Sequence, residues 1–207
     1  GEAELATTAE TPVVLAALDG HADAIAVLAT LAQSTRGLAV IARADRGIER
    51  LPDLAGRSIG VTPKTNVEYF LDLFLTLHGL GPADVRLVPT APEDLVGRAL
   101  DGSLDAVATF EPHTARLLEA LGRRARPFRE PHIYTWLWNL CGRTDFVGRS
   151  PAAARAVLAA ALEATRLVDD APEAARAAMR LILGPLPKGS WDHIDFTMSL
   201  DQALVPK

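Results

Sequence analysis

Apolar residues recur along this chain with two different periods, and the alternation between them predicts its organisation. Val67, Phe70, Leu71, Phe74 and Leu77 fall at helical spacing behind a strand-like run, Arg57–Thr62, and Gly79 ends the series. The order then repeats. Val85–Pro89 reads as a strand, Pro92–Leu100 as a helix stopped by Asp101-Gly102, and Asp105–Thr109 as a strand. Pro112–Leu121 follows as a helix and Ala125–Arg129 as a strand. Strands alternating with helices predict an α/β architecture with a parallel, doubly wound sheet, in which ligands sit beyond the strand carboxyl ends. That rule points to Thr62–Asn66, Thr90–Glu93 and Thr109–His113. We expect Asp53–Arg129 to form one compact parallel lobe.

Outside that region the pattern changes. The first twenty residues read as a short strand-like piece and then a helix. Glu10-Thr11-Pro12 opens that helix with Pro12 in the first helical position, and Val13, Val14, Ala17 and Leu18 make its apolar face. Ala24–Ala32 and Gly37–Ala42 are near-continuous apolar runs, expected of strands buried on both faces. Asp45-Arg46-Gly47 reads as a turn and sets a boundary near Asp45. Pro131–Gly142 is extended, and helices start at Ser150-Pro151 and at Asp170-Ala171-Pro172, the second running to about Leu183. The tail from Gly184, with Pro185, Pro187 and Gly189, reads as loop and a short helix near Trp191–Phe196.

Composition narrows the function classes. Hydrophobic residues make up 49% of 207 residues, enough for one large domain or two small lobes. The net charge of −5, with basic residues scattered except at Arg123–Arg126, argues against a nucleic-acid surface. No apolar stretch reaches the roughly 18 residues needed to span a membrane. The single Cys141 sits in an apolar run and reads as a small buried hydrophobe.

The candidate chemistry is that of binding. Thr65 or Asn66 can cap the helix behind it, with Glu68 completing a capping box, so backbone donors, helix polarity and the hydroxyls of Thr62 and Thr65 meet at one point suited to an anion. Lys64 would add charge there or simply stand in a solvated turn. Tyr69, one turn along, would flank a ligand or enter the core. Glu111 can hold a cation, bond across lobes or cap its own helix, and His113 reads as exposed. Tyr134, Trp136 and Trp138 share one side of an extended strand, as core or as a stacking wall, with Asn139 on the opposite side. Enzyme signatures are missing from the sequence: there is no G-x-S-x-G, P-loop or H-E-x-x-H, and the histidines lie far apart. We therefore expect no catalytic residue, no metal and no cofactor.

Three segments carry a family resemblance: L-x-D-L-x-G-R-S-I-G-V-T-P-x-T (Leu51–Thr65), TAETPVVLAAL (Thr8–Leu18) and LDGSLDAVATFEPHTARLL (Leu100–Leu118). In order and spacing they resemble the substrate-binding proteins of ABC importers for sulfonates, taurine, nitrate and thiamine-type pyrimidines. The resemblance implies a two-lobed type 2 periplasmic-binding fold. Residues 46–131 would form the central lobe, with 1–45 and 132–207 building the outer one. It also implies that Thr8, Glu10 and Thr11 open onto the cleft. The family's first strand-helix-strand is absent, so an exposed edge or apolar groove is expected in the outer lobe, a surface for self-association. The implied function is delivery of a small anionic or pyrimidine-like solute to a membrane permease, in the periplasm or another extracytoplasmic space, with any signal segment or lipid anchor outside this chain. A ligand-sensing domain of a signalling or transcription-regulatory protein is the alternative.

Overall fold

The alternation of strands and helices is present in the computed structural model, which describes residues 3–183. The expected tail from Gly184 and its helix near Trp191–Phe196 lie outside the described residues. The chain opens with β1 (Leu5–Ala9) and α1 (Glu10–Ala16), which winds on through a wider turn at Ala17–His21. Helix α1 begins at Glu10, so Pro12 stands third in it rather than first. Then come β2 (Ile25–Ser34), β3 (Leu38–Arg43), β4 (Ser58–Val61), α2 (Asn66–Leu77), β5 (Arg86–Pro89) and α3 (Pro92–Leu100). The series continues with β6 (Ala106–Phe110), α4 (His113–Leu121), β7 (Ala125–Phe128), β8 (Trp136–Arg143) and α5 (Thr144–Arg149), a short helix the sequence pattern did not announce. Two alanine-rich helices close the described chain, α6 (Pro151–Asp170) and α7 (Pro172–Leu183).

Contacts divide the chain into two units. Residues 3–33 and 136–183 form one, and residues 34–135 the other. The first unit holds a three-stranded sheet in the order β1-β8-β2, with β1 antiparallel to β8 from Leu5 opposite Gly142 to Ala9 opposite Trp138. Strand β1 is one of its two edges. A shallow apolar groove of about 230 Å³ runs beside it, lined by Leu5, Ala6, Pro12, Val13, Ile25 and Cys141 among others. Strand β2 is only partly buried along its first half, less covered than an unbroken apolar run suggests.

The second unit is a five-stranded sheet in the order β5-β4-β6-β3-β7. Strand β4 runs parallel to β5 and β6, whereas β3 is antiparallel to β6 and β7. The sheet is thus mixed rather than wholly parallel. The β6–α4–β7 crossover passes over one strand position, and β3 fills that slot from the opposite direction with every residue buried. This also moves β3 out of the lobe that a boundary near Asp45 assigned it to. An apolar run states that a strand is buried, not which sheet buries it.

Steps from β4 to β5 and from β5 to β6 go opposite ways across the sheet, so right-handed crossovers put α2 on one face and α3 on the other. Leu95 and Ala99 of α3 and Leu117 and Leu121 of α4 share a core with Ala39, Ile41, Leu104 and Val107. Val67, Phe70, Leu71, Phe74 and Leu75 are the buried face of α2. Gly60 allows this packing: a Cβ there would lie 2.5 Å from Leu104 Cδ1 and 3.3 Å from Leu95 Cδ2.

Candidate functional site

The winding reverses at β4, and the loops that leave β4, β5, β6 and β7 gather at one end of the five-stranded sheet. The β4–α2 turn is the most distinctive of them. Lys64 is exposed and holds φ at 59°, an uncommon conformation for a residue with a Cβ. The turn is pinned from both sides. The Thr65 hydroxyl donates back to the Thr62 carbonyl at 2.7 Å, and the Lys64 N–H donates to Glu68 Oε2 at 2.7 Å.

The expected capping box is therefore not formed. Thr65 has the extended backbone of an N-cap (φ −119°, ψ 166°), but its hydroxyl is spent on the turn and Glu68 serves Lys64 instead of Thr65. Among the described residues no side chain caps α2. Its first-turn amides, led by half-buried Asn66, are left for water or a ligand. Thr62 is less available: its hydroxyl donates to the Thr90 carbonyl at 2.9 Å, while Thr90 N–H returns a bond to Val61 at 3.0 Å. Thr62 thus staples the β4 and β5 loops together.

Tyr69 is 50% exposed, which rules out the core position. Its ring stands edge-on to Tyr134, centroids 5.5 Å apart, and the Tyr134 hydroxyl is buried with no hydrogen-bond partner among the described residues. Tyr134 consequently leaves the three-aromatic stripe. Strand β8 starts only at Trp136, and His132 upstream takes a φ of 92° that breaks the extended run.

At the end of β6, Glu111 precedes a cis peptide bond to Pro112. Its side chain is only 5% exposed. Oε2 accepts the Ala115 N–H at 3.1 Å, a cap on α4, and Oε1 accepts Arg129 Nη2 at 3.4 Å. Arg129 Nη1 donates in turn to the Arg36 carbonyl at 3.0 Å. Burial pushes the Arg129 guanidinium below its ordinary value, with the Glu111 charge pulling it back. Of the three roles open to Glu111, capping is occupied, and the cation it holds is the chain's own Arg129. Sequence reading missed Arg129; an arginine closing a strand at the carboxyl end of the sheet was the available signal. His113 is half-buried against Phe110 rather than exposed, and burial, with Arg116 nearby, pushes its pKa down.

The remaining candidates belong to the other unit. Thr8 faces Asn139 across the β1–β8 ladder. Asn139 is 2% exposed, and its Oδ1 accepts the Thr30 hydroxyl at 2.9 Å, so it joins β8 to β2 inside the core. Glu10 accepts the Leu137 N–H at 2.8 Å and the Thr11 hydroxyl at 3.4 Å; burial pushes its carboxyl pKa up. It fastens the start of α1 to β8. Trp136 is half-buried with an Nε1 that has no partner among the described residues, and stands edge-on to Trp138, centroids 6.4 Å apart. Trp138 is 40% exposed, so the pair is not plain core. Cys141 is buried, as expected, and burial pushes its thiol up. Among the described residues no three His, Cys, Asp or Glu cluster for a metal, and no helix is long and apolar enough to cross a membrane.

No curated protein matches the sequence. Solved structures do. The periplasmic aliphatic sulphonate binding protein SsuA from Escherichia coli is similar over 96% of this chain and 69% of its own, with a TM-score of 0.77 and 19% identity. The periplasmic nitrate-binding protein NrtA from Synechocystis is similar over 98% of this chain but 58% of its own, at 0.69 and 16%. The desulfurization enzyme DszB is similar over 98% of this chain and 73% of its own, at 0.63 and 21%. The chain therefore spans well under the full length of the proteins it resembles. Its fold is that of the type 2 periplasmic binding proteins, a fold that also carries an enzyme. The profile of the family described as "NMT1/THI5 like" matches residues 1–175, and this chain belongs to that family.

Proposed function

We propose that this chain is the solute-binding portion of an ABC importer and that it binds a small oxyanion, with a sulfonate as the leading class. The uncapped amino end of α2 carries the reading. A turn that spends Thr65 on Thr62 and Glu68 on Lys64 leaves the helix amides open at the carboxyl end of the sheet, beside exposed Lys64. Backbone donors and helix polarity hold an anion there without a bound cation. Asn66 would supply an amide and Tyr69 an exposed ring beside the solute, while the Thr65 hydroxyl stays on Thr62. The similarity to SsuA, a periplasmic sulphonate-binding protein, and to NrtA, a periplasmic nitrate-binding protein, supports the oxyanion class and an extracytoplasmic location.

Calorimetric titration with methanesulfonate and with nitrate tests this. Asn66→Asp puts a like charge at the seat while remaining compatible with the helix start. A hydrogen bond to a charged group is worth about 1.5–3 kcal/mol, so the loss should reach about ten- to a hundredfold in affinity. Unchanged anion affinity in Asn66→Asp would remove α2 from the site.

A further inference from the structure

A buried carboxylate stands at the end of the sheet that the proposed function gives to an anion. Glu111 follows β6, and β6 pairs parallel with β4, so Glu111 and the β4–α2 turn leave the same end of the sheet. Left alone, its charge would oppose an anionic solute. Like charges about 10 Å apart at an effective dielectric near 20 repel by about 1.7 kcal/mol, on the order of tenfold in affinity.

Arg129 meets that charge. Its Nη2 donates to Glu111 Oε1 at 3.4 Å, and its Nη1 is held independently by the Arg36 carbonyl at 3.0 Å. The side chains are 20% and 5% exposed, so solvent screens neither well. The second Glu111 oxygen is already committed to the Ala115 N–H. We propose that Arg129 is a positioning residue of the anion site: it neutralises Glu111 and keeps it as the α4 cap, so that the sheet end admits an anion. This rests on the sulfonate-class reading above. Arg129 need not touch the solute. Because Arg36 anchors it without help from Glu111, removing Glu111 leaves the guanidinium in place.

The test is a double-mutant cycle read with two probes of similar shape, methanesulfonate and neutral dimethyl sulfone. Arg129→Met should weaken methanesulfonate about tenfold and change dimethyl sulfone less than threefold. Glu111→Gln should bind methanesulfonate as well as the parent or better. The double variant, with no lone buried charge, should recover to within about threefold of the parent. Arg129→Lys, which keeps the charge, should resemble the parent. A double variant as weak as Arg129→Met overturns the proposal in favour of direct contact. Equal loss for both probes overturns it in favour of a purely structural arginine. If Arg129→Met does not fold, Glu111→Gln and the double variant decide: a threefold or greater loss of methanesulfonate affinity in either refutes the neutralising role. If the parent binds no methanesulfonate, the sulfonate reading fails first and this inference falls with it, a result distinct from the others.

Discussion

Single residues in this chain do different work from what their types suggest. Asn139 and Glu10 both look like donors and acceptors for a ligand, yet each is already engaged inside the fold. Asn139 answers the Thr30 hydroxyl, and Glu10 answers the Leu137 amide. Glu10 gives a pH signature whose sign is fixed by its environment. Burial raises its pKa, against the opposing bonds from Leu137 and Thr11, so the folded chain holds this proton at higher pH than the unfolded chain does. Its contribution to stability is therefore greatest below the ordinary glutamate value, about 4.3, and falls as pH rises through the window above it. Glu10→Gln keeps an acceptor for Leu137 but cannot titrate. Urea unfolding from about pH 4 to 7 should show the parent losing stability relative to Glu10→Gln as pH climbs; a constant difference would mean that Glu10 is not desolvated. Such roles were not legible in the sequence, because a side chain's partner across the sheet can be over a hundred residues away, as Thr30 is from Asn139.

At the scale of elements, local signals were read well where they are covalent neighbours. Helix α3 runs from Pro92 to Leu100 as expected, because Pro suits a first turn and Asp101-Gly102 stops it. The segment Leu100–Leu118 also holds a clamp between strands. Asp105 Oδ2 accepts both the Ser58 N–H at 2.9 Å and the Ser58 hydroxyl at 2.7 Å, joining the entrance of β6 to that of β4. Burial pushes the Asp105 carboxyl up, but the Ser58 bonds, Arg46 and Arg57 together hold it below the ordinary range. The sign is thus opposite to that of Glu10. Stability from this clamp is present above the usual aspartate value, about 3.9, and is lost as pH falls through the lower folded value. Asp105→Asn should cost about 1–3 kcal/mol at neutral pH and flatten the acid limb of the stability curve. An unchanged acid limb in denaturant titrations would assign that slope elsewhere. Gly60 in the paired strand belongs to the same element-level logic: Gly60→Ala forces Leu104 to move and should cost about 1–3 kcal/mol, read as a lower urea midpoint at constant m-value.

For the whole molecule, the relevant quantity is how binding feeds into stability. If the α2 seat takes an oxyanion, ligand at 100 times its dissociation constant stabilises the folded chain by about 2.7 kcal/mol. Melting of this 207-residue chain should then shift upward by several degrees in methanesulfonate. Choline chloride at equal ionic strength should not shift it. An equal shift in both salts would reduce the effect to ionic strength. The fold itself cannot make this decision, since the same architecture serves SsuA and DszB, one named for binding and one for desulfurization.

What the sequence determined by itself is most of the elements and their α/β class. Period, caps and breakers act over a few residues, so strand–helix alternation from Arg57 to Phe128 was readable directly. Tertiary structure alone decided the rest. Strand β3 entered the five-stranded sheet antiparallel because a slot between β6 and β7 was open to it, a fact of pairing that hydrophobicity does not encode. The capping box failed because Lys64 turned the Thr65 hydroxyl onto Thr62, a matter of backbone angle and not of residue type. Arg129 met Glu111 only because β6 and β7 end on the same side of the sheet. Hydrogen bonds and charges act at contact distance, and only the folded chain sets those distances.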